Sequence, residues 1–135
     1  MSYKIEEIEG IGPAYAAKLT EQGVKTTDDY LNMCAAPKGR KEMAEKTGIA
    51  EKLILRWANQ ADLMRVKGVG EEYGELLEAA GVDTVKELRT RNAENLCAKM
   101  QEVNGEKKLA RRAPSAGEVE KWVAHAKELD PILTY

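Results

Sequence analysis

This chain reads nearly twice, and that limits its possible folds more than any other property it has. Ile8-Glu9-Gly10-Ile11-Gly12-Pro13-Ala14-Tyr15 aligns with Val66-Lys67-Gly68-Val69-Gly70-Glu71-Glu72-Tyr73, 58 positions later. The same spacing carries Leu19 onto Leu77, Gly23 onto Gly81, Val24 onto Val82 and Thr26 onto Thr84. Further along, Met43 and Gly48 match Met100 and Gly105 at a spacing of 57, and Ile54, Trp57, Ala58 and Ala61 match Val119, Trp122, Val123 and Ala126 at 65. The second copy therefore holds an insertion of about eight residues around Lys107 to Ser115. Self-similarity of this kind means that one supersecondary unit is used twice, in units 1–62 and 63–135. No Gly/Ser-rich or Pro-rich linker separates them, so the two are expected to pack as one compact body with a shared core.

The local signals are helical throughout. Pro13 suits the first position of a helix, where its missing N–H would have no partner, and Gly23 suits the left-handed cap that closes it. The second copy predicts a helix after Gly70 that ends at Gly81. Thr84 with Glu87 and Ser115 with Glu118 have the capping-box form that opens a helix. Gly48 and Gly105 are expected to end a fourth helix in each copy, and Trp57 and Trp122 fall inside a fifth with apolar neighbours at helical spacing. No stretch alternates with a period of two, so the fold class is all-α, with about five short helices per copy. There is no Phe, and aromatic residues make up 5% of the chain. Burial must then rest on aliphatic side chains, with the two indoles as the largest core anchors.

Ile5-x-x-Ile8-x-Gly10-Ile11-Gly12-Pro13-x-x-Ala16-x-x-Leu19 resembles the helix-hairpin-helix motif, and Leu63-x-x-Val66-x-Gly68-Val69-Gly70-x-x-x-Gly74-x-x-Leu77 resembles a second one. Two short helices would meet across a tight turn, with glycines allowing the left-handed backbone and small Ala16 or Gly74 allowing close packing. The doubled arrangement, including Arg111-Arg112-Ala113-Pro114-Ser115 before the last helix, is similar to a bacterial group known as domain of unknown function 4332. In the wider helix-hairpin-helix family, backbone N–H groups of the hairpin hold one phosphate of duplex DNA without reading its bases. The resemblance implies that Gly10, Ile11, Gly12, Gly68, Val69 and Gly70 are the candidate phosphate contacts, with Lys18 nearby. The chemistry is sound, because unpaired N–H groups at a helix N-terminus favour an anion. Pro13 removes one donor, and Glu71 and Glu72 would repel a phosphate at the second turn.

The 21 Lys and Arg against 23 Asp and Glu leave a formal charge of −2, which removes the simplest electrostatic argument for a nucleic-acid partner. Two basic clusters could compensate locally: Lys38-Gly39-Arg40-Lys41, and Lys107-Lys108-Leu109-Ala110-Arg111-Arg112. Lys38, Arg40, Lys41, Lys107, Lys108, Arg111 and Arg112 therefore join the candidate DNA contacts. The first functional expectation is a non-catalytic module that binds duplex DNA weakly and without sequence preference. The alternative is a protein-interaction or scaffold module with no nucleic-acid contact, which the acidic balance favours.

Other chemistries find little footing. Cys34 and Cys97 stand far apart with no CxxC spacing, so free thiols are expected, and His125 has no second His or paired Cys to make a metal site, which leaves it a surface residue. The third glycine of a dinucleotide-binding G-x-G-x-x-G is missing from both copies. No catalytic constellation assembles, no cofactor is implied, and no apolar run approaches the ~20 residues of a membrane span. A cytoplasmic location is the corresponding expectation.

Overall fold

A computed structural model describes residues 2–135. After a 3-10 turn at Ile5–Glu7 come α1 (Pro13–Glu21), α2 (Thr27–Cys34), α3 (Pro37–Thr47), α4 (Glu51–Leu63), α5 (Gly70–Ala79), α6 (Val85–Leu88), α7 (Ala93–Lys107) and α8 (Ala116–Glu128). Among the described residues there is no strand, only an isolated antiparallel bridge between Lys4 and Thr26. The all-helical fold expected from the periodicity is what the chain adopts.

The caps follow from chemistry readable in the sequence. Thr26 accepts the Asp29 N–H at 3.1 Å, and the Asp29 carboxylate accepts the N–H groups of Lys25 and Thr26 in return. Those backbone donors hold the Asp29 carboxyl below the usual range. Ser115 and Glu118 make the same reciprocal box at the start of α8, and Thr84 accepts the Glu87 N–H at 3.3 Å to open α6. Gly48 closes α3 at φ 75°, and Gly23 and Gly81 take left-handed positions after α1 and α5. Gly105 does not end its helix. Instead α7 runs on to Lys107, and Lys108 adopts the left-handed cap at φ 51°. The cause lies in Asn104, whose carbonyl accepts the Lys108 N–H and whose side chain accepts the Ala110 N–H at 2.9 Å, carrying the helix two residues past Gly105.

The buried side chains gather in two clusters rather than the single shared core expected from the missing linker. One encloses Ile5, Ile8, Leu19, Tyr30, Ile54 and Trp57, the other Val66, Leu76, Leu77, Leu88, Met100 and Trp122. Leu63 and Met64, neighbours in sequence, fall into different clusters. Each half supplies an indole and a full set of aliphatic residues, enough to enclose its own centre. The joint between the halves is left to polar groups on α4. Gln60, 3% exposed, donates its amide to the Gly74 carbonyl at 3.2 Å and to the Glu78 carboxylate at 2.7 Å. Asp62, 2% exposed, accepts the Val85 N–H at 2.9 Å and pairs with Arg65 at 2.7 Å. Both are satisfied, as buried polar groups must be if they are not to destabilise the fold.

The last residues close the body. Beyond α8 the chain is extended and returns to the first half, where the Thr134 N–H meets the Ala35 carbonyl at 2.8 Å and the Tyr135 hydroxyl meets Asn59 at 3.0 Å.

Candidate binding surface at the glycine turns

Each glycine turn is pinned from below. In the first, Ile8 and Ile11 are buried on either side of Gly10, which takes φ 93°, and the Ile11 N–H donates to the Ile8 carbonyl at 3.1 Å. In the second, Val66 and Val69 are buried around Gly68 at φ 92°, and the Val69 N–H donates to the Val66 carbonyl at 3.2 Å. A Cβ on Gly10 would lie 3.5 Å from Trp57 Nε1, and one on Gly68 would lie 3.2 Å from Trp122 Nε1, so each turn rests on an indole edge. Tyr15 packs on Trp57 and Tyr73 on Trp122, both with ring centroids 5.1 Å apart. The indoles are 1% and 2% exposed, which bears out their expected role as core anchors.

This geometry sorts the candidate phosphate contacts. Ile11 and Val69 face inward, and their N–H groups are already engaged within the turns. Gly10, Gly12 and Gly68 are exposed and Gly70 is half-buried. Gly12 precedes α1 and Val69 precedes α5, and neither helix has a side-chain cap at its N-terminus. The α1 start thus presents backbone donors, less the one that Pro13 lacks.

The basic residues are dispersed. Lys18, Lys38, Lys41, Lys107 and Lys108 are exposed, on α1, on α3 and at the end of α7. Arg40 is not part of any surface. It is 6% exposed, and its guanidinium donates to the carbonyls of Cys34 at 3.0 Å, Ala35 at 2.9 Å and Thr134 at 2.6 Å. It caps α2 and holds the returning tail, so it is unavailable to a phosphate. Arg111 does reach the second turn, where it pairs with Glu72 at 3.1 Å. Arg112 pairs with Glu118 at 2.9 Å, and this partner together with the Ser115 N–H holds the Glu118 carboxyl below its usual range.

Carboxylates dominate the space between the turns. Burial raises the Glu71 carboxyl above its usual range, and the charges of Glu9, Glu7 and Glu72 raise it further. Glu75 is raised by burial and then by Glu9, with Arg56 opposing. Glu9, next to Gly10, therefore faces the first turns of α5. The spacing of residues in sequence gave Glu71 and Glu72 as a local repulsion, but not this meeting of Glu9 with Glu71 and Glu75.

The chain matches the family described as Domain of unknown function (DUF4332) over residues 9–129. It belongs to that family. No solved structure matches it.

In this DUF4332 chain three polar residues matter that the sequence did not single out for these roles. Gln60 and Asp62 build the joint. Their signal was present as polar residues inside the otherwise apolar face of Trp57, Ala58, Ala61 and Leu63. His125, expected at the surface, is half-buried, and its Nδ1 accepts the Lys67 N–H at 3.1 Å. It thereby fixes the backbone just before Gly68. Cys34 and Cys97 are both free and buried, and burial pushes the Cys34 thiol up to about 11. Among the described residues no three His, Cys, Asp or Glu side chains come together where they could hold a metal ion, and no helix is long and apolar enough to cross a membrane.

Proposed function

We propose that the chain is a non-catalytic protein-binding module made of two helix-hairpin-helix units, which offers its carboxylate face to a basic partner. One observation carries this reading: Glu9 of the first turn acts on Glu71 and Glu75 of α5, whose carboxyls are raised by burial first and by the Glu9 charge next. A surface that keeps like charges together within one fold gains when an opposite charge arrives. A phosphate backbone would meet the same repulsion. Of the arginines, Arg40 is buried, Arg111 and Arg112 are paired with carboxylates, and Arg56, which opposes the rise at Glu75, is paired with Glu78.

The test is a pair of anisotropy titrations, one with a labelled Lys/Arg-rich peptide and one with a random duplex, at two salt concentrations. The peptide should bind, weaken with salt, and weaken further in Glu9→Lys and Glu75→Lys. The duplex should give no shift at about 50 mM salt and about 100 μM protein, where even weak non-specific binders respond. A duplex that binds while the peptide does not would reverse the reading.

Weak duplex binding is the second reading, favoured by the exposed start of α1 and by Lys38, Lys41, Lys107 and Lys108, none of them ion-paired among the described residues. Four phosphate contacts would make log K fall with log salt at a slope near about −3.6. Glu71→Lys with Glu72→Lys should then strengthen the complex by removing repulsion at the second turn.

A further inference from the structure

At the joint, α5 lies on the end of the first half. Gly74 faces Gln60, Glu78 pairs with Arg56 at 3.3 Å, and Glu71 and Glu75 approach Glu9. The surface that α5 meets is thus marked by Glu9, Arg56 and Gln60, with Gly10 and Trp57 the sequence neighbours of the first two. By the spacings of 58 and 65, the same positions in the second half are Lys67, Gly68, Lys121, Trp122 and His125. Those five residues line an open groove of about 540 Å³ beside α8. None of the described residues covers it.

The converse holds at the other end. The positions of Glu71, Gly74, Glu75 and Glu78 correspond to Pro13, Ala16, Ala17 and Thr20 on α1. These four line a shallow open depression on the outer face of α1. Among the described residues one face is thus mated to one such surface, while one unmated copy of each remains open.

We propose that the α8 groove of one copy takes the α1 face of a second copy, repeating between chains the joint that exists within one. Charge removes one obstacle to the match. Lys67 stands where the internal joint has Glu9, and Pro13 and Ala17 stand where it has Glu71 and Glu75, so the carboxylate crowding is absent. Glu6 and Glu21 border the α1 depression, while the groove is bordered by Lys67 and Lys121 together with Glu118 and Glu128, so its own charges balance. The contact uses two different surfaces, so it cannot close as a two-fold dimer and extends head to tail. It is weaker than the internal joint, because Thr20 offers Lys121 no ion pair like Arg56 with Glu78, and Ala16 adds a Cβ where Gly74 has none. Association therefore depends on concentration. The proposal does not use the carboxylate face, so either reading can fail without the other.

Sedimentation velocity on the full chain up to roughly 1 mM, the range of weak complexes, tests it. Ala17 and Ala124 are exposed, one on each surface, so Ala17→Arg and Ala124→Arg obstruct one surface apiece without touching either core. The wild type should grow past two copies as concentration rises. Each variant alone should stay monomeric, and an equimolar mixture should recover a dimer and stop there, since only one productive pair of surfaces remains. That recovery also shows that both variants are folded. A wild type that stays monomeric, one that stops at two copies, or variants that assemble as the wild type does would overturn the proposal.

Discussion

Gln60 of α4 donates its amide to the carbonyl of Gly74 on α5, and its own oxygen stands where a Cβ on residue 74 would come within 2.8 Å. The two helices are this close because position 74 has no side chain. Gln60 cannot swing aside without giving up both its bonds. Gly74→Ala should therefore cost about 1 to 3 kcal/mol, the usual range for overpacking. The drop should appear in the urea midpoint, together with faster hydrogen exchange at Val85, whose N–H crosses the same joint.

The indoles give a second prediction. Trp57→Ala and Trp122→Ala should each lower stability by about 3 to 5 kcal/mol, because each empties the centre of its own cluster. With the cores separate, the double variant should be close to additive. A large departure from additivity would mean that the two halves share more of their packing than the contacts indicate.

At Gly39 the approach is closer still. A Cβ there would lie 1.9 Å from the Met33 carbonyl oxygen, which is backbone and cannot rotate away. Gly39→Ala should force α3 off α2, at a cost at or above the upper end of the ~1 to 3 kcal/mol for overpacking. Thermal unfolding would read it, and Gly12→Ala, with nothing within 4 Å of its added Cβ, is the matched control.

Arg40→Ala should cost about 2 to 4 kcal/mol, since three carbonyls lose a charged donor. The Thr134 N–H should lose its protection from exchange in the same variant. Whatever duplex binding exists should keep its salt slope, because the guanidinium was never at the surface.

Glu75 predicts a pH dependence with a definite sign. Its folded pKa is raised, so it favours the fold when protonated, and that contribution is lost as pH rises through the folded value. Glu75→Gln should therefore raise the urea midpoint at neutral pH, with the gain shrinking as pH falls toward the ordinary carboxylate range near about 4. Asp29 and Glu118, held below their usual range, act in the opposite sense, and their contribution is lost on acidification. A gain from Glu75→Gln that grew toward acid would contradict the assignment.

Much of the fold was legible because its signals are local. Pro13, Thr84 and Ser115 mark helix starts by the bonds their own side chains or rings allow, and Gly23, Gly48 and Gly81 mark ends by backbone freedom. Gly105 misled for the same reason, since glycine permits a left-handed turn without requiring one, and Asn104 anchors the chain around a cap three residues later, at Lys108. The candidate surface was less legible. Arg40 reads like Lys38 and Lys41 in a basic run, and only the returning tail reveals that its charge is satisfied internally. The crowding of Glu9 with Glu71 and Glu75 depends on how the halves meet, which is decided by Gln60, Gly74 and Asp62.

The bond between Arg40 and Thr134 spans 94 positions. On a chain synthesised from its N-terminus at about 5 to 20 residues per second, the guanidinium waits roughly 5 to 20 s for its third acceptor. During that interval the first half can fold around Trp57 with α2 capped by two of its three bonds. The nascent chain thus holds a nearly finished body with one bond of its closure missing, and only the arrival of the segment around Thr134 completes it. The N-terminal half is the first to form and, by this one guanidinium, the last to be finished.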